Sequence, residues 1–220
     1  MISRLKETIT PEGLFWPRSA LYSRIASVME PAYRHIARQL ALPPNVKTVL
    51  DIGGGDGRLA VALAKQYPHL SMIVTADISK DMTDRARKRA EKSGLGSRIT
   101  SDVSDVHNLG YGDSYFDAIV SFGSMHHWRD PVTALRELDR ILKPQGILTV
   151  MDGFDKPSFK IIKTTVSGFG GSIWTSIAYW VGSHQVLRYS EIAQIVEGSG
   201  IGYISILCLG PIVIVGGTKD

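Results

Sequence analysis

The chain has 220 residues, a formal net charge of +4 and one cysteine, Cys208. This length suits one domain with a substantial core, and the composition is that of an ordinary globular protein. A single cysteine excludes an intrachain disulfide and a thiolate-rich zinc site. The mild charge does not favour a nucleic-acid partner, and five bases at helical spacing are typical of a solvated helix face: Arg85, Arg87, Lys88, Arg89 and Lys92.

The first residues, Met1-Ile-Ser-Arg-Leu-Lys-Glu, contain no continuous apolar stretch like that of a signal peptide, so we expect a cytoplasmic protein. Between Lys163 and Arg188 there is no charged residue, and a segment of that length could cross a bilayer. Three glycines between positions 168 and 171 would interrupt an apolar helix there. We therefore expect no stable membrane insertion, and a lid over an apolar site or a buried helix pair instead.

Apolar spacing predicts that the first forty residues are mainly helical and that Pro43-Pro44 closes this segment. From Lys47 onward strands and helices alternate. The predicted strands are Thr48–Asp51, Met72–Ala76, Ile99–Val103, Phe116–Phe122, Ile147–Met151, Tyr203–Leu209 and Ile212–Val215. The predicted helices run from about 57 to 66, 80 to 93, 131 to 142 and 190 to 197, and Lys143-Pro144-Gln145-Gly146 is predicted as a turn.

This alternation predicts a doubly wound α/β fold with a seven-stranded, mostly parallel sheet. The connection Gly210-Pro211 is so short that it makes the last two strands antiparallel neighbours. We therefore expect the last strand to be antiparallel, and a helical cap to accompany the sheet.

A glycine-rich turn follows the first strand, in Val49-Leu-Asp-Ile-Gly-Gly-Gly-Asp-Gly-Arg-Leu-Ala60. Glycines permit positive φ and close approach of a ligand, and the helix N-terminus offers free N–H groups. The segment therefore predicts a small-ligand site. The spacing alone is ambiguous, because Gly55-Asp-Gly57-Arg-Leu-Ala60 also satisfies the dinucleotide fingerprint, with Asp77 about 20 residues further on.

Three carboxylates at successive strand ends favour one ligand. Asp51 directly before the glycines would repel a pyrophosphate but suits an ammonium group. Asp77 can accept hydrogen bonds from two ribose hydroxyls, and Asp105 from an exocyclic amine while Val106 packs on a purine. Together they suit an amino acid end, a ribose and an adenine without phosphate, which describes S-adenosylmethionine.

The chain resembles the class I S-adenosylmethionine-dependent methyltransferases, and within them the small-molecule branch with the ubiquinone/menaquinone-biosynthesis C-methyltransferases. The resemblance covers roughly Lys47 to Asp152 and rests on five motifs. They are the D-x-G-x-G turn at Asp51, the acidic Asp77, the segment from Asp105 to Phe116-Asp117 with Gly110 in place of the usual proline, the segment Ser121 to Trp128, and Arg140-Ile-Leu-Lys-Pro-Gln-Gly with Gln145 in place of a glycine.

The resemblance implies a Rossmann-like methyltransferase fold and S-adenosylmethionine as cofactor, with S-adenosylhomocysteine as product. We expect one domain over residues 1–220, divided into a helical cap segment (1–44), the cofactor-binding core (45–152), a substrate-cap insertion (153–188) and the last helix and strands (189–220); the first forty residues and the segment after Gly153 match no motif of the family. The implied cofactor residues are Asp51, Gly53 and Gly55 at the methionine end, Asp77 at the ribose, Ile78, Met82, Asp105 and Val106 at the adenine, and Ser121 and Phe122 beside the sulfonium. Capping of a turn or helix is the alternative for Asp77 and Asp105, and core packing for Ile78 and Met82.

Methyl transfer requires alignment of an acceptor with the methyl group, and a base where the acceptor must lose a proton. His126 and His127 are the candidate bases, with packing at a helix start as the alternative, and at most one of them should face the site. No metal site is expected, since no third ligand has suitable spacing. The absence of charged residues between Lys163 and Arg188 in the cap favours a small apolar or aromatic acceptor. The alternatives are a non-catalytic S-adenosylmethionine-binding regulator or partner subunit and, more remotely, an NAD-dependent oxidoreductase. The oligomeric state is left open.

Overall fold

The computed structural model describes residues 30–153, 187–209 and 212–220. Its helices are α1 (Glu30–Gln39), α2 (Arg58–Gln66), α3 (Lys80–Lys92), α4 (Pro131–Ile141) and α5 (Tyr189–Ser199). Its strands are β1 (Thr48–Ile52), β2 (Met72–Asp77), β3 (Ile99–Val103), β4 (Phe116–Phe122), β5 (Leu142–Gly153), β6 (Ser205–Leu209) and β7 (Ile212–Thr218). Most of the N-terminal segment predicted to be helical, nearly all of the expected cap insertion and the Gly210-Pro211 connection lie outside the described residues.

The seven strands form one sheet in the order β3-β2-β1-β4-β5-β7-β6. Strands β1 to β5 pair in parallel, and β7 runs antiparallel to both of its neighbours. The predicted doubly wound sheet with an antiparallel last strand is confirmed. Because the strand order reverses between β1 and β4, a crevice opens beyond their carboxyl ends, where ligands bind in sheets of this type.

Two apolar cores cover the two faces of the sheet. Successive side chains of a strand point to opposite faces, so Val49 joins one core and Leu50 the other. Helices α1 and α2 and the end of α3 supply the first core, and α4 and α5 supply the second. Side chains such as Leu63 and Leu138 are fully buried, and each such burial contributes roughly 2–3 kcal/mol.

The predicted helix starts are confirmed at α3 and α4. The Ser79 hydroxyl accepts the N–H of Met82 at 3.4 Å, and the Asp130 carboxylate accepts the N–H of Thr133 at 3.2 Å. Pro131 occupies the first helical position, where its missing N–H costs nothing. These caps fix the points at which the chain leaves the carboxyl edge of the sheet.

The predicted turn at Lys143-Pro144-Gln145-Gly146 is wrong in part, because β5 already begins at Leu142. Leu142 pairs with Phe116 and Ile147 with Ala118, so the register shifts and the residues between them are displaced from regular pairing. Gln145 adopts a left-handed φ of +61° and donates its N–H to the Lys219 carbonyl at 2.8 Å. This cross-link to the end of β7 holds the irregular segment in the sheet.

Several boundaries also differ by a few residues from the predicted ones. β1 and β2 each extend one residue further, so that Asp77 is the last residue of its strand. β6 begins at Ser205 rather than at 203, and Tyr203 instead donates its hydroxyl to Asp139 at 2.9 Å. α5 and β7 are longer than predicted, because α5 ends only at Ser199 and β7 at Thr218.

Candidate functional site

The glycine turn after β1 has no room for a side chain at Gly53, Gly54 or Gly57. Gly53, Gly55 and Gly57 have φ of +66°, +54° and +76°, which L-residues with a Cβ rarely adopt. A Cβ on Gly53 would lie 2.4 Å from the Cβ of Ser124, well inside van der Waals contact. The Gly54 N–H donates to the Ala76 carbonyl at 3.1 Å. The turn is thus fixed between the ends of β2 and β4, with its backbone available to a ligand.

Asp77 holds this turn from the end of β2. Its Oδ2 accepts the Gly55 N–H and its Oδ1 accepts the Ser79 N–H, both at 2.9 Å. Burial raises the pKa of Asp77, although these two N–H groups act in the opposite direction. The carboxylate therefore caps the turn, and the second lone pair of each oxygen is left for ribose hydroxyls.

Asp51 differs from Asp77 in its hydrogen bonding. Its side chain is buried, and neither carboxylate oxygen has a hydrogen-bond partner within the described residues, nor does the neighbouring Thr75 hydroxyl. Burial raises the pKa of Asp51 to about 7; the Ala60 N–H and the Thr75 hydroxyl lie close enough to lower it in part, while the charge of Asp77 raises it. A buried carboxylate without a partner is costly, so it calls for a cationic group from a ligand.

The three residues predicted to enclose adenine differ in exposure. Ile78 leaves 46% of its surface exposed directly after β2, as a platform for a flat ligand would require. Met82 is 5% exposed and Val106 is 7% exposed, and Val106 packs with Leu109 in the core beneath α4. Ile78 therefore offers an open apolar surface, whereas Met82 and Val106 lie mostly inside the protein.

Asp105 lies in the loop after β3 and is positioned by His107. Its Oδ1 accepts the His107 backbone N–H at 2.9 Å and also lies against the ring Nδ1. The ring Nε2 accepts the Asp130 N–H at 3.1 Å, so the proton of the neutral ring must be on Nδ1. Burial alone would raise the pKa of Asp105, but the hydrogen bonds from His107 outweigh it and the pKa is lowered. The carboxylate stays charged and oriented, and its Oδ2 lies 3.8 Å from the guanidinium of Arg129.

Arg140, from the motif before β5, anchors the loop that carries Asp105. Its guanidinium donates to the Leu109 carbonyl at 3.1 Å, to the Tyr111 carbonyl at 3.0 Å and to Asp113 at 2.7 Å. Glu137 accepts two further hydrogen bonds from it, at 2.7 and 2.8 Å. The planar fork of arginine thus ties this loop to α4.

The end of β4 and the turn after it face the glycine turn. Ser121 is fully buried, and its hydroxyl lies 2.6 Å from that of Ser124. The Phe122 ring packs edge-on against Tyr33 of α1, with 5.7 Å between ring centroids. The Gly123 N–H donates to the Met151 carbonyl at 2.8 Å, which ties this turn to β5.

Of the two candidate bases, His126 is held by a buried carboxylate. Its Nδ1 lies 2.8 Å from Oδ1 of Asp152, and its backbone N–H donates to Oδ2 at 3.0 Å. The His127 ring packs against that of His126, with centroids 3.9 Å apart. Asp152 was missed in the sequence, although it follows an apolar strand in the same way as Asp51 and Asp77 do.

The predicted solvated basic face is wrong for Arg89. Asp56, within the glycine turn, is 3% exposed and accepts from Arg89 at 2.6 Å, and it lies 3.2 Å from Arg58. Arg58 continues the network to Glu30 of α1 at 3.0 Å. Two other bases of this face, Arg85 and Arg87, pair with acidic residues of α3. The network joins the glycine turn to α1 and α3.

All the predicted site residues therefore lie at one edge of the sheet, at or just beyond the carboxyl ends of β1 to β4.

None of the helices in the described ranges is long and apolar enough to cross a membrane.

Residues 50–150 match the family model described as a methyltransferase domain. Methyltransferase GfsG of Streptomyces halstedii is 31% identical over 138 residues, which are 63% of this chain and 49% of that protein. The ubiquinone/menaquinone biosynthesis C-methyltransferase UbiE of Blochmanniella pennsylvanica is 30% identical over 115 residues, 52% of this chain and 44% of its own length. This chain thus spans about half the length of these relatives. A crystal structure from Methanococcus maripaludis, assigned to the S-adenosyl-L-methionine-dependent methyltransferases, also matches this chain. The match covers 92% of this chain and 92% of that one, with 28% sequence identity and a TM-score of 0.72.

Residues 50–150 thus match a methyltransferase domain, and the sheet and the glycine turn that they form are similar to those of an S-adenosyl-L-methionine-dependent methyltransferase. S-adenosylmethionine is the cofactor of this class. The residues present fit that cofactor: the glycines let a ligand approach the backbone closely, and the carboxylate of Asp51, which has no hydrogen-bond partner among the described residues, lies beside them.

Proposed function

We propose that the protein binds S-adenosylmethionine at the carboxyl edge of β1 to β4 and transfers its methyl group to a small apolar or aromatic acceptor. The observation that carries this proposal is the buried carboxylate of Asp51 next to the glycine turn, which has no hydrogen-bond partner in the part of the chain that the structure describes. A pyrophosphate in this turn would face that carboxylate, whereas the ammonium group of the methionine end would neutralise it.

In this proposal each candidate site residue at the carboxyl edge of the sheet contacts one part of the cofactor. Asp51, Gly53 and Gly55 hold the methionine end, and Asp77 accepts from the ribose hydroxyls. Ile78, Met82 and Val106 enclose the adenine, and Oδ2 of Asp105 accepts from its amino group. Ser121 and Phe122 lie beside the sulfonium. The bound cofactor supplies an electrophilic methyl group, and the chain has to orient it and the acceptor.

The acceptor class is supported by the relatives. One is named for the biosynthesis of ubiquinone and menaquinone, and a third, 33% identical over 110 residues, is the 27-O-demethylrifamycin SV methyltransferase of Amycolatopsis mediterranei. That alignment covers 40% of the rifamycin enzyme. The expected substrate cap, residues 153–188, has no charged residue between Lys163 and Arg188, and it lies almost wholly outside the described residues. We propose that this uncharged stretch favours such an acceptor.

Calorimetry with S-adenosylhomocysteine and with NAD tests the proposal. We expect saturable binding of S-adenosylhomocysteine and none of NAD at the same concentration, because only the former brings a cation to Asp51. Binding of NAD in preference would overturn the proposal in favour of an oxidoreductase. Binding of the cofactor without methyl transfer to any of a wide range of acceptors would point to a regulator.

A further inference from the structure

A histidine–aspartate pair lies beside the end of β4. Asp152, near the end of β5, is 2% exposed and holds His126 at two points: Oδ1 lies 2.8 Å from the ring Nδ1, and Oδ2 accepts the backbone N–H at 3.0 Å. Asp152 Oδ1 also accepts the Gly153 N–H at 2.7 Å. Since both oxygens are engaged, the carboxylate and the imidazole have a fixed mutual orientation.

This geometry decides where the proton of the neutral ring lies. A carboxylate accepts hydrogen bonds, so the neutral imidazole carries its proton on Nδ1 and has its lone pair on Nε2. Within the described ranges, Nε2 of His126 makes no hydrogen bond, and the side chain is 9% exposed. A base whose second nitrogen is oriented by a buried carboxylate is the arrangement that accepts a proton and stabilises the resulting cation.

The pair is connected to the proposed cofactor site through the turn that carries it. Ser124, two residues before His126, lies against Gly53, where an added Cβ would be 2.4 Å from the serine Cβ. The Ser124 hydroxyl also contacts Ser121 at the end of β4. The turn of His126 therefore borders the glycine turn directly.

We propose that His126 is the general base of the methyl transfer, that Asp152 is its positioning residue, and that the acceptor is consequently a hydroxyl compound, either a phenol, an enol or an alcohol. This inference rests on the function proposed above. The acceptor hydroxyl gives its proton to Nε2 of His126 while a bond forms between the nucleophilic atom, oxygen or the conjugated carbon, and the methyl carbon. The carbon–sulfur bond breaks and its electron pair remains on sulfur, so the sulfonium becomes a neutral thioether. The imidazolium then releases its proton to water.

The acceptor class follows from the need for a base. A neutral hydroxyl is a poor nucleophile until its proton is removed, so a positioned base accelerates the step. A free amine attacks with its own lone pair, and a thiol is already partly ionised at neutral pH. A purely structural role of Asp152, as an anchor of the turn at Met125–His127, would give no preference among these acceptors.

The tautomer of His126 tests the proposal without any acceptor. In nitrogen–proton correlation spectra of the ¹⁵N-labelled protein with S-adenosylhomocysteine bound, we expect the neutral His126 ring to be protonated on Nδ1 and the Asp152→Asn variant to lose this single preference. A ring protonated on Nε2 would overturn the proposal. Absence of S-adenosylhomocysteine binding would instead overturn the proposed function, so the two failures are distinguishable.

Turnover tests the acceptor class. With methyl-labelled S-adenosylmethionine, the probes are 1-naphthol and a hydroxynaphthoquinone, compared with 1-naphthylamine and 1-thionaphthol. We expect transfer to a hydroxyl probe. His126→Asn should slow turnover about a hundredfold or more, and Asp152→Asn should slow it less and alter its pH profile. His69→Asn, before β2 at the opposite edge of the sheet, is the matched control and should turn over at the natural rate. Unchanged turnover in His126→Asn, or transfer to the amine or thiol alone, would overturn the proposal.

Discussion

The two halves of the sheet's carboxyl edge are built differently. At the ends of β1 and β2, carboxylates surround a glycine turn that local sequence already encodes. At the ends of β4 and β5, the pairing of two strands brings His126 to Asp152, 26 residues further along the chain. The first half has the chemistry to hold a cation and an adenosine, and the second half can accept a proton. The difference suggests that donor binding and acceptor activation can be altered separately.

The largest expected effect in the first half comes from Gly53→Ala. The new Cβ would meet Ser124 at 2.4 Å, and φ is +66°. We expect a loss of about 3 kcal/mol in stability and no measurable S-adenosylhomocysteine binding, by thermal unfolding and calorimetry. Gly110→Ala is the control, because a Cβ there meets nothing within 4 Å. Equal behaviour of the two variants would contradict a turn fixed between β2 and β4.

The unpartnered carboxylate makes stability depend on pH. The pKa of Asp51 in the folded protein is about 7, above the ordinary value of 3.8, so the folded state holds this proton more tightly. Its contribution is fully present below pH 4 and is lost as the pH rises through 7. We expect stability to fall by roughly 2 kcal/mol between pH 5 and 8 in denaturant titrations.

Asp51→Asn should remove this slope, and bound S-adenosylhomocysteine should reduce it in the natural protein, because its ammonium favours the charged carboxylate. A slope that persists in Asp51→Asn would show that another group is responsible.

Arg140→Lys tests the anchor of the loop after β3. Lysine keeps the charge but cannot reach the carbonyls of Leu109 and Tyr111 and the Glu137 carboxylate at once. We expect a loss of about 1 kcal/mol in the free energy of unfolding, since the side chain is partly exposed. Arg34→Lys on the exposed surface of α1 is the control. Identical denaturation midpoints for the two variants would remove the anchoring role.

The smallest expected effect is that of His107→Gln, which disturbs Asp105 without removing its charge. The ring bridges the Asp105 carboxylate and the Asp130 N–H, and glutamine is too flexible to fix both. We expect S-adenosylhomocysteine affinity to fall about threefold to tenfold by calorimetry, which corresponds to roughly 1 kcal/mol. His69→Gln should bind as the natural protein does, and equal affinity of both variants would exclude a role of Asp105 orientation.

The sequence predicted the alternation of strands and helices because the apolar periods differ clearly between them. It also singled out Asp51 and Asp77 as candidate site residues, because each closes an apolar strand, Asp51 directly before the glycines and Asp77 further along the chain. It did not predict that Asp77 would accept the N–H of Gly55 in the glycine turn as well as that of Ser79, since the bond to Gly55 depends on how β2 lies beside β1.

Contacts between distant segments were harder to predict. Arg89 reaches Asp56 across 33 residues, so helical spacing alone classed it with the solvated bases. Asp152 had the same local pattern as Asp51, but its contact with His126 depends on the pairing of β4 with β5. The irregular start of β5 depends on a hydrogen bond to Lys219 near the chain's end, which no local pattern reports.

The most direct test of the division between the two halves is the S-adenosylhomocysteine affinity of Asp77→Ala compared with that of Asp152→Asn. The first variant removes the acceptor proposed for the ribose hydroxyls and should lose about 2 kcal/mol of binding, roughly 30-fold in Kd. The second should bind within about twofold of the natural protein, because Asp152 acts on His126 and not on the cofactor. Unchanged affinity in Asp77→Ala, or an equal loss in both variants, would contradict this account.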